Sequence, residues 1–156
     1  MERRNVFAAI LSGCLVLAAC APVSGSVPPD LALTRWRVED LDGRGVVDRV
    51  QSTLEFGERG AASGNLACNR FTTTYEQSGP RLGFGRVAST RMMCPEAVMD
   101  QERRFSDVLA GTRGALVKEP YLYLLDARGA TLARLIRLGP EEAAERSADP
   151  RSADGP

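Results

Sequence analysis

What most constrains this chain is its punctuation. Between residues 33 and 139 the apolar residues come in short runs, each stopped by Gly, Asp, Ser or Pro. Runs of ~4–8 residues bounded by turn formers read as strands, and their succession is the all-β pattern rather than βαβ alternation. The run 34–39 alternates, with Trp36 and Val38 on one face, before the Asp42-Gly43 turn. Residues 52–56 put Leu54 and Phe56 inward and stop at Gly57-Glu58-Arg59-Gly60. A small-residue strand follows at 61–67, where Gly64 marks a close backbone approach or a bulge. The β-branched run 72–76 ends at Ser78-Gly79-Pro80, and 82–90 carries Gly83 and Gly85 around Phe84, so a strand there must bend. Three further runs lie at 115–119, 121–125 and 131–138, the last two joined as a hairpin by the turn 126–129.

One helix interrupts the strands. Pro95 suits the first helical position, Glu96 the positive end of the helix dipole, and Gly111 the close. At 100° per residue, Val98, Gln101, Phe105, Val108 and Leu109 share one face, with Glu96, Asp100, Arg103 and Asp107 opposite. That is an amphipathic helix laid on a sheet. Glu102 falls at the edge of the apolar stripe, where a carboxylate needs a partner. An ion pair with one of the many arginines is expected there, with a ligand-binding acid as the alternative.

The N-terminus speaks to compartment. Arg3 and Arg4 precede an apolar run of about a dozen residues, which is a secretory signal and too short to span a bilayer. It ends in Leu17-Ala18-Ala19-Cys20, which resembles the lipobox of bacterial lipoproteins, whose Cys is lipidated and becomes the first residue after cleavage. The alternative is an ordinary signal peptide with a chance cysteine. More than one acyl chain holds a protein stably to a membrane, where a single chain binds reversibly. Ala21, where the lipoprotein pattern puts Asp for inner-membrane retention, implies in a Gram-negative cell the periplasmic face of the outer membrane. The expected organisation is a signal at 1–19, a lipidated N-terminus and tether at 20–32, one domain at 33–139, and a disordered tail at 140–156.

Composition removes several chemistries. Twenty basic and twenty acidic groups balance, so there is no basic footprint for nucleic acid. There is no His, hence neither the commonest general base nor the commonest metal ligand. Lys118 is the single lysine. No metal, cofactor or catalytic residue is expected, and the chain is read as not an enzyme. With Cys14 in the signal and Cys20 lipidated, Cys68 and Cys94 remain as a pair in an oxidising compartment. A disulfide is the expected state. A thiolate or redox site is the alternative, though it lacks both the CxxC spacing and a neighbouring His.

Several spaced blocks then add up. Gly64-Asn65-Leu66-Ala67-Cys68-Asn69-Arg70-Phe71, with Tyr75 after it, resembles the G-x-x-G-C-N-R-F…Y block of the META/HslJ-like family. Ser89-Thr90-Arg91-Met92-Met93-Cys94 is similar to its S-T-x-M-A-C block, 102–109 to its E-x-x-F…L helix, and Trp36 to its opening strand. Ala67 and Met93 stand where the family has Gly and Ala, so the backbone at Ala67 is expected to differ. The resemblance implies a mainly β (α+β) fold, an antiparallel sheet curled into an incomplete barrel with the amphipathic helix on its concave face. It also implies that Cys68 and Cys94 meet. Members of the family include heat-inducible envelope lipoproteins linked to antibiotic tolerance, and the architecture is similar to pilotins that cradle lipid. No catalytic residues carry over. Asn69, Arg70 and Glu102 are motif residues without an assigned role, and Asn69 is expected to satisfy backbone groups at the turn after Cys68.

The functional expectation is a non-enzymatic outer-membrane lipoprotein, held by its lipid anchor, acting in envelope stress or antibiotic tolerance. Its partner would be an envelope protein or a hydrophobic ligand between sheet and helix. The second reading is a periplasmic inhibitor of a hydrolase such as a lysozyme or a protease. A lipid cradle needs an unfilled apolar cavity, whereas an inhibitor needs an exposed rigid loop.

Overall fold

The computed structural model describes residues 29–139. Among them are strands β1 (Thr34–Leu41), β2 (Thr53–Phe56), β3 (Ala61–Asn65), β4 (Arg70–Ser78), β5 (Arg81–Phe84) and β6 (Ala88–Ser89), helix α1 (Glu96–Gly111), and strands β7 (Gly114–Lys118), β8 (Tyr121–Leu125) and β9 (Thr131–Arg137). All pairings are antiparallel. The order is β3-β2-β1-β9-β8-β7-β5-β4, and β4 pairs back onto β3, so the sheet returns on itself as a ring. One seam is thin. Between β5 and β7 the register holds a single pair, Arg81 opposite Gly114, flanked by hydrogen bonds from Leu82 N–H to Arg113 O (3.3 Å) and from Ala115 N–H to Pro80 O (2.8 Å). That seam is where the expected incompleteness lies.

The bend expected in the run 82–90 is a break. β5 stops at Phe84, and the chain rejoins β4 as β6. Gly64 is where two strands meet: a Cβ there would collide with the Thr53 carbonyl oxygen across the β2–β3 pair, as its close-approach reading anticipated. α1 begins one residue later than expected. Pro95 is its cap, and its carbonyl accepts from the N–H groups of Val98 (3.0 Å) and Met99 (3.1 Å).

Strand alternation turns one face of the ring inward, and α1 lies across one mouth. Its residues meet strand ends from all round that mouth. The Arg104 guanidinium donates to Gly45 O (3.2 Å) just beyond β1, and the Gln101 amide to Ser52 Oγ (2.9 Å) just before β2. Gln101 Oε1 in turn accepts from Val47 N–H (2.6 Å), so this fully buried amide on the apolar face is partnered. Phe105, Val108 and Leu109 point into the ring, where they join Trp36, Leu54, Phe56, Phe71, Leu122, Leu124 and Leu135 in one cluster. At about 25 cal/mol per Å² of apolar surface, this shared burial is the main stabilising term.

Leu31 closes the other mouth. It was expected in the tether, yet it is fully buried in the same cluster. Its N–H donates to Gln77 Oε1 (3.0 Å), while Trp36 Nε1 donates to Thr34 Oγ1 (2.8 Å) and that hydroxyl to the Leu31 carbonyl. The folded unit therefore begins before residue 33. Nearby, burial and then the Asp30 charge push the Tyr75 phenol above its usual pKa.

Two surface carboxyls titrate low. Hydrogen bonds from Ala130 N–H and Arg128 N–H (each 2.8 Å) hold Asp126, in the β8–β9 turn, below its usual range. The Arg137 hydrogen bond does the same for Glu119. Depressed folded values mean that the unfolded chain binds more protons as pH falls. Their stabilisation is whole above the unfolded carboxylate values of ~4 and is lost as pH drops through the folded ones. Urea midpoints read from Trp36 fluorescence are expected to fall below about pH 4, with a shallower fall in Asp126→Asn.

Candidate functional site

The motif residues meet at the mouth covered by α1. Cys68 sits in the turn between β3 and β4, which is closed by Leu66 N–H to Asn69 O (2.8 Å) and by Ala67 N–H to Asn65 Oδ1 (2.9 Å). Ala67 does not adopt the left-handed backbone expected of a glycine position; among the described residues, those other than glycine with positive φ are Leu33, Asp42, Arg49 and Arg59. The Asn65 side chain shapes the turn instead. Cys68 and Cys94 are bonded, with Cα atoms 6.0 Å apart, so the turn is stapled to the chain entering α1.

Asn69 is the hub. Its side-chain Oδ1 accepts from Met92 N–H (2.7 Å) and Thr90 Oγ1 (2.8 Å). Its Nδ2 donates to Met92 O (3.2 Å) and to the Glu102 carboxylate (3.0 and 3.1 Å), and its backbone N–H donates to Glu102 Oε2 (2.9 Å). The expected role, satisfying backbone groups, is what it performs, but on the loop 90–92 rather than on its own turn. Glu102 differs from expectation. Its donors come from Asn69, not from an arginine, because the first turns of α1 set the carboxylate over the β3–β4 corner. Arg70 shares only its backbone: its carbonyl accepts from Thr90 N–H (3.1 Å), and its side chain is exposed. Cys20 lies outside the described residues.

The product of this arrangement is a fixed, exposed loop. Residues 90–94 are held by Arg70 and Asn69 at one end and by the disulfide at the other. Between these ties Met92 is 57% and Met93 88% exposed, which with Leu33 are the exposed large hydrophobics of the described residues. A residue-by-residue reading reaches Asn69, Glu102 and the cysteines, but it does not pair Asn69 with Glu102. Nor does it see Thr90 and Met92 as the backbone they grip, since nothing local in the sequence encodes a contact between residues so far apart.

The corner offers little for bond-making chemistry. The sulfurs are bonded to each other and the Glu102 carboxylate is engaged by Asn69. Among the described residues, no three of His, Cys, Asp and Glu come together to hold a metal ion, and no helix is long and apolar enough to cross a membrane. Glu102→Gln places an NH₂ group against donors. It is expected to lower stability by about 1–3 kcal/mol in urea unfolding, as for a buried donor left unpaired.

Comparison with known proteins agrees with this fold. The description of the META domain matches residues 29–137. An NMR structure of a protein from Burkholderia xenovorans is similar, with a TM-score of 0.57 at 25% identity, over 76% of this chain and 97% of that one. A second NMR structure gives a TM-score of 0.55 at 25% identity, over 67% of this chain and 88% of the other. No curated protein matches. With the family profile covering the whole ring, its disulfide and its helix, the chain belongs to the META domain family.

Proposed function

We propose that this chain is a non-enzymatic lipoprotein of the cell envelope, anchored through Cys20 at the periplasmic face of the outer membrane. Its META domain acts in envelope stress or antibiotic tolerance by binding another envelope protein. The observation that carries this reading is the loop 90–94, whose backbone is pinned while Met92 and Met93 stand in solvent. Exposing two large flexible apolar side chains is unfavourable unless a partner covers them, and methionine adapts readily to such surfaces. A pinned loop also loses little conformational freedom on binding. Phe105, Leu109 and their neighbours pack into one buried cluster between sheet and helix, which supports a protein partner over a lipid.

The same loop supports a second reading, inhibition of a hydrolase, since a rigid projecting loop is what an active-site cleft accepts. One set of preparations tests both. Native mass spectrometry of the wild type from its own membrane should show a retained protein partner, and Met92→Ser/Met93→Ser should lose it with stability unchanged. Cys20→Ser should leave an uncleaved precursor or appear in the soluble fraction. Retention of that variant on the membrane would overturn the anchor, and inhibition of a lysozyme or protease by the wild type alone would favour the second reading.

A further inference from the structure

The thin seam leaves the end of β5 without a strand partner on its outer side, although the end of α1 packs near it. Leu82 N–H turns away from β4 to reach Arg113 O (3.3 Å), and Gly85 N–H turns back to Thr74 O (2.8 Å). Antiparallel alternation therefore turns the N–H and C=O of Phe84 away from β4, toward the side where β7 would lie. But β7 starts at Gly114, opposite Arg81, so it supplies nothing opposite Phe84.

Beside this edge an open groove of about 720 Å³ extends over β4 and β5, lined by residues 74–78 and 81–85 and by Ala110 and Arg113. A Cβ at Gly83 would have nothing within 4 Å, so the face of β5 is open beside Phe84. Arg81 and Arg113 also line the groove, and the exposed Arg86 follows just beyond. Arg113 gives Nη1 to the carbonyls of Ala110 (2.9 Å) and Thr112 (2.6 Å), which leaves its other donors for a ligand. Glu76, paired across from Gly83, is the one carboxylate on the lining.

We propose that the edge at residues 82–85 is a strand-addition site, separate from the loop 90–94, that takes an extended acidic segment of another protein. Main-chain hydrogen bonds to Phe84 would supply the affinity, and Arg81 and Arg113 the preference for acidic side chains. Small anionic ligands would satisfy the arginines but leave the edge unpaired.

The test uses the full chain carrying Cys20→Ser, followed by NMR and amide hydrogen exchange. The probes are a capped peptide alternating Val, Thr and Glu, the same peptide with Lys for Glu, and the Glu peptide N-methylated at alternate residues. The Glu peptide is expected to bind saturably, shift residues 82–85 and 113, and slow exchange at Phe84 at least about tenfold. The N-methylated peptide should do neither, and Arg81→Glu/Arg113→Glu should switch preference to the Lys peptide. Unchanged exchange at Phe84, or equal binding of the N-methylated peptide, would overturn the proposal. So would protection of Phe84 that rises with protein concentration alone, which would make a second copy the occupant. Because the N-methylation comparison is made on unsubstituted Arg81 and Arg113, a misfolded arginine variant would not blunt it.

Discussion

Phe105→Ala is expected to lower the free energy of unfolding by about 3–5 kcal/mol, the range for truncating a buried aromatic ring whose site collapses only partly. The ring is fully buried, stands edge-on to Phe71 at 6.0 Å between centroids, and projects from the middle of α1 into the ring of strands. Antiparallel pairing holds the strand ends around it, so they have little freedom to close over the void. The measurement is urea unfolding of wild type and variant, each with and without added lipid. A loss below ~1 kcal/mol, with clear stabilisation of the wild type by lipid, would mean that Phe105 borders a ligand space instead of filling it.

The second large effect concerns the staple. Replacing both Cys68 and Cys94 by Ser is expected to cost roughly 3.5 kcal/mol, the chain-entropy figure for a loop of this span. The bond closes a sequence separation of 26 residues, and most of its effect falls on the unfolded chain. In the folded state Asn69 and Glu102 still hold the same corner without it. The variant should therefore keep the native fluorescence of Trp36 and unfold at lower urea, with a steeper dependence on denaturant as its unfolded chain expands. Thiol titration of denatured, unreduced protein should find neither Cys68 nor Cys94 reactive. A stability equal to wild type would show that the network alone fixes the corner.

Much of the architecture was legible because it is encoded locally. Alternation at Trp36 and Val38, at Leu54 and Phe56, and the helical spacing of Gln101, Phe105, Val108 and Leu109 each marked residues that are buried. The glycines at 83 and 85 marked the break that ends β5. Non-local choices were not legible. Leu31 looks like part of a Pro-rich linker, because its burial depends on a mouth formed by strands far along the chain. Glu102 looked like the partner of an arginine, since arginines are abundant and local counting cannot show that Asn69 lies beneath it. Side chains of the motif, read one at a time, suggested a site; together they form a clasp, and the exposed methionines beside it carry the functional reading.

The ring also sets an order of events. β1 pairs with β2 on one side and β9 on the other, so Trp36 lies opposite Arg137, whose guanidinium stacks 4.4 Å from the indole. A chain emerging N-terminus first therefore carries β1 with one long edge open until its last strand appears. Contacts of such sequence separation make folding slow, in milliseconds to seconds rather than microseconds. Until then Val38 and Leu54 face water on an open sheet, a state prone to pairing with other chains. Removing β9 would leave β1 and β8 both unpaired on that side. Closure of the ring between β1 and β8 therefore waits on the arrival of residues 131–137.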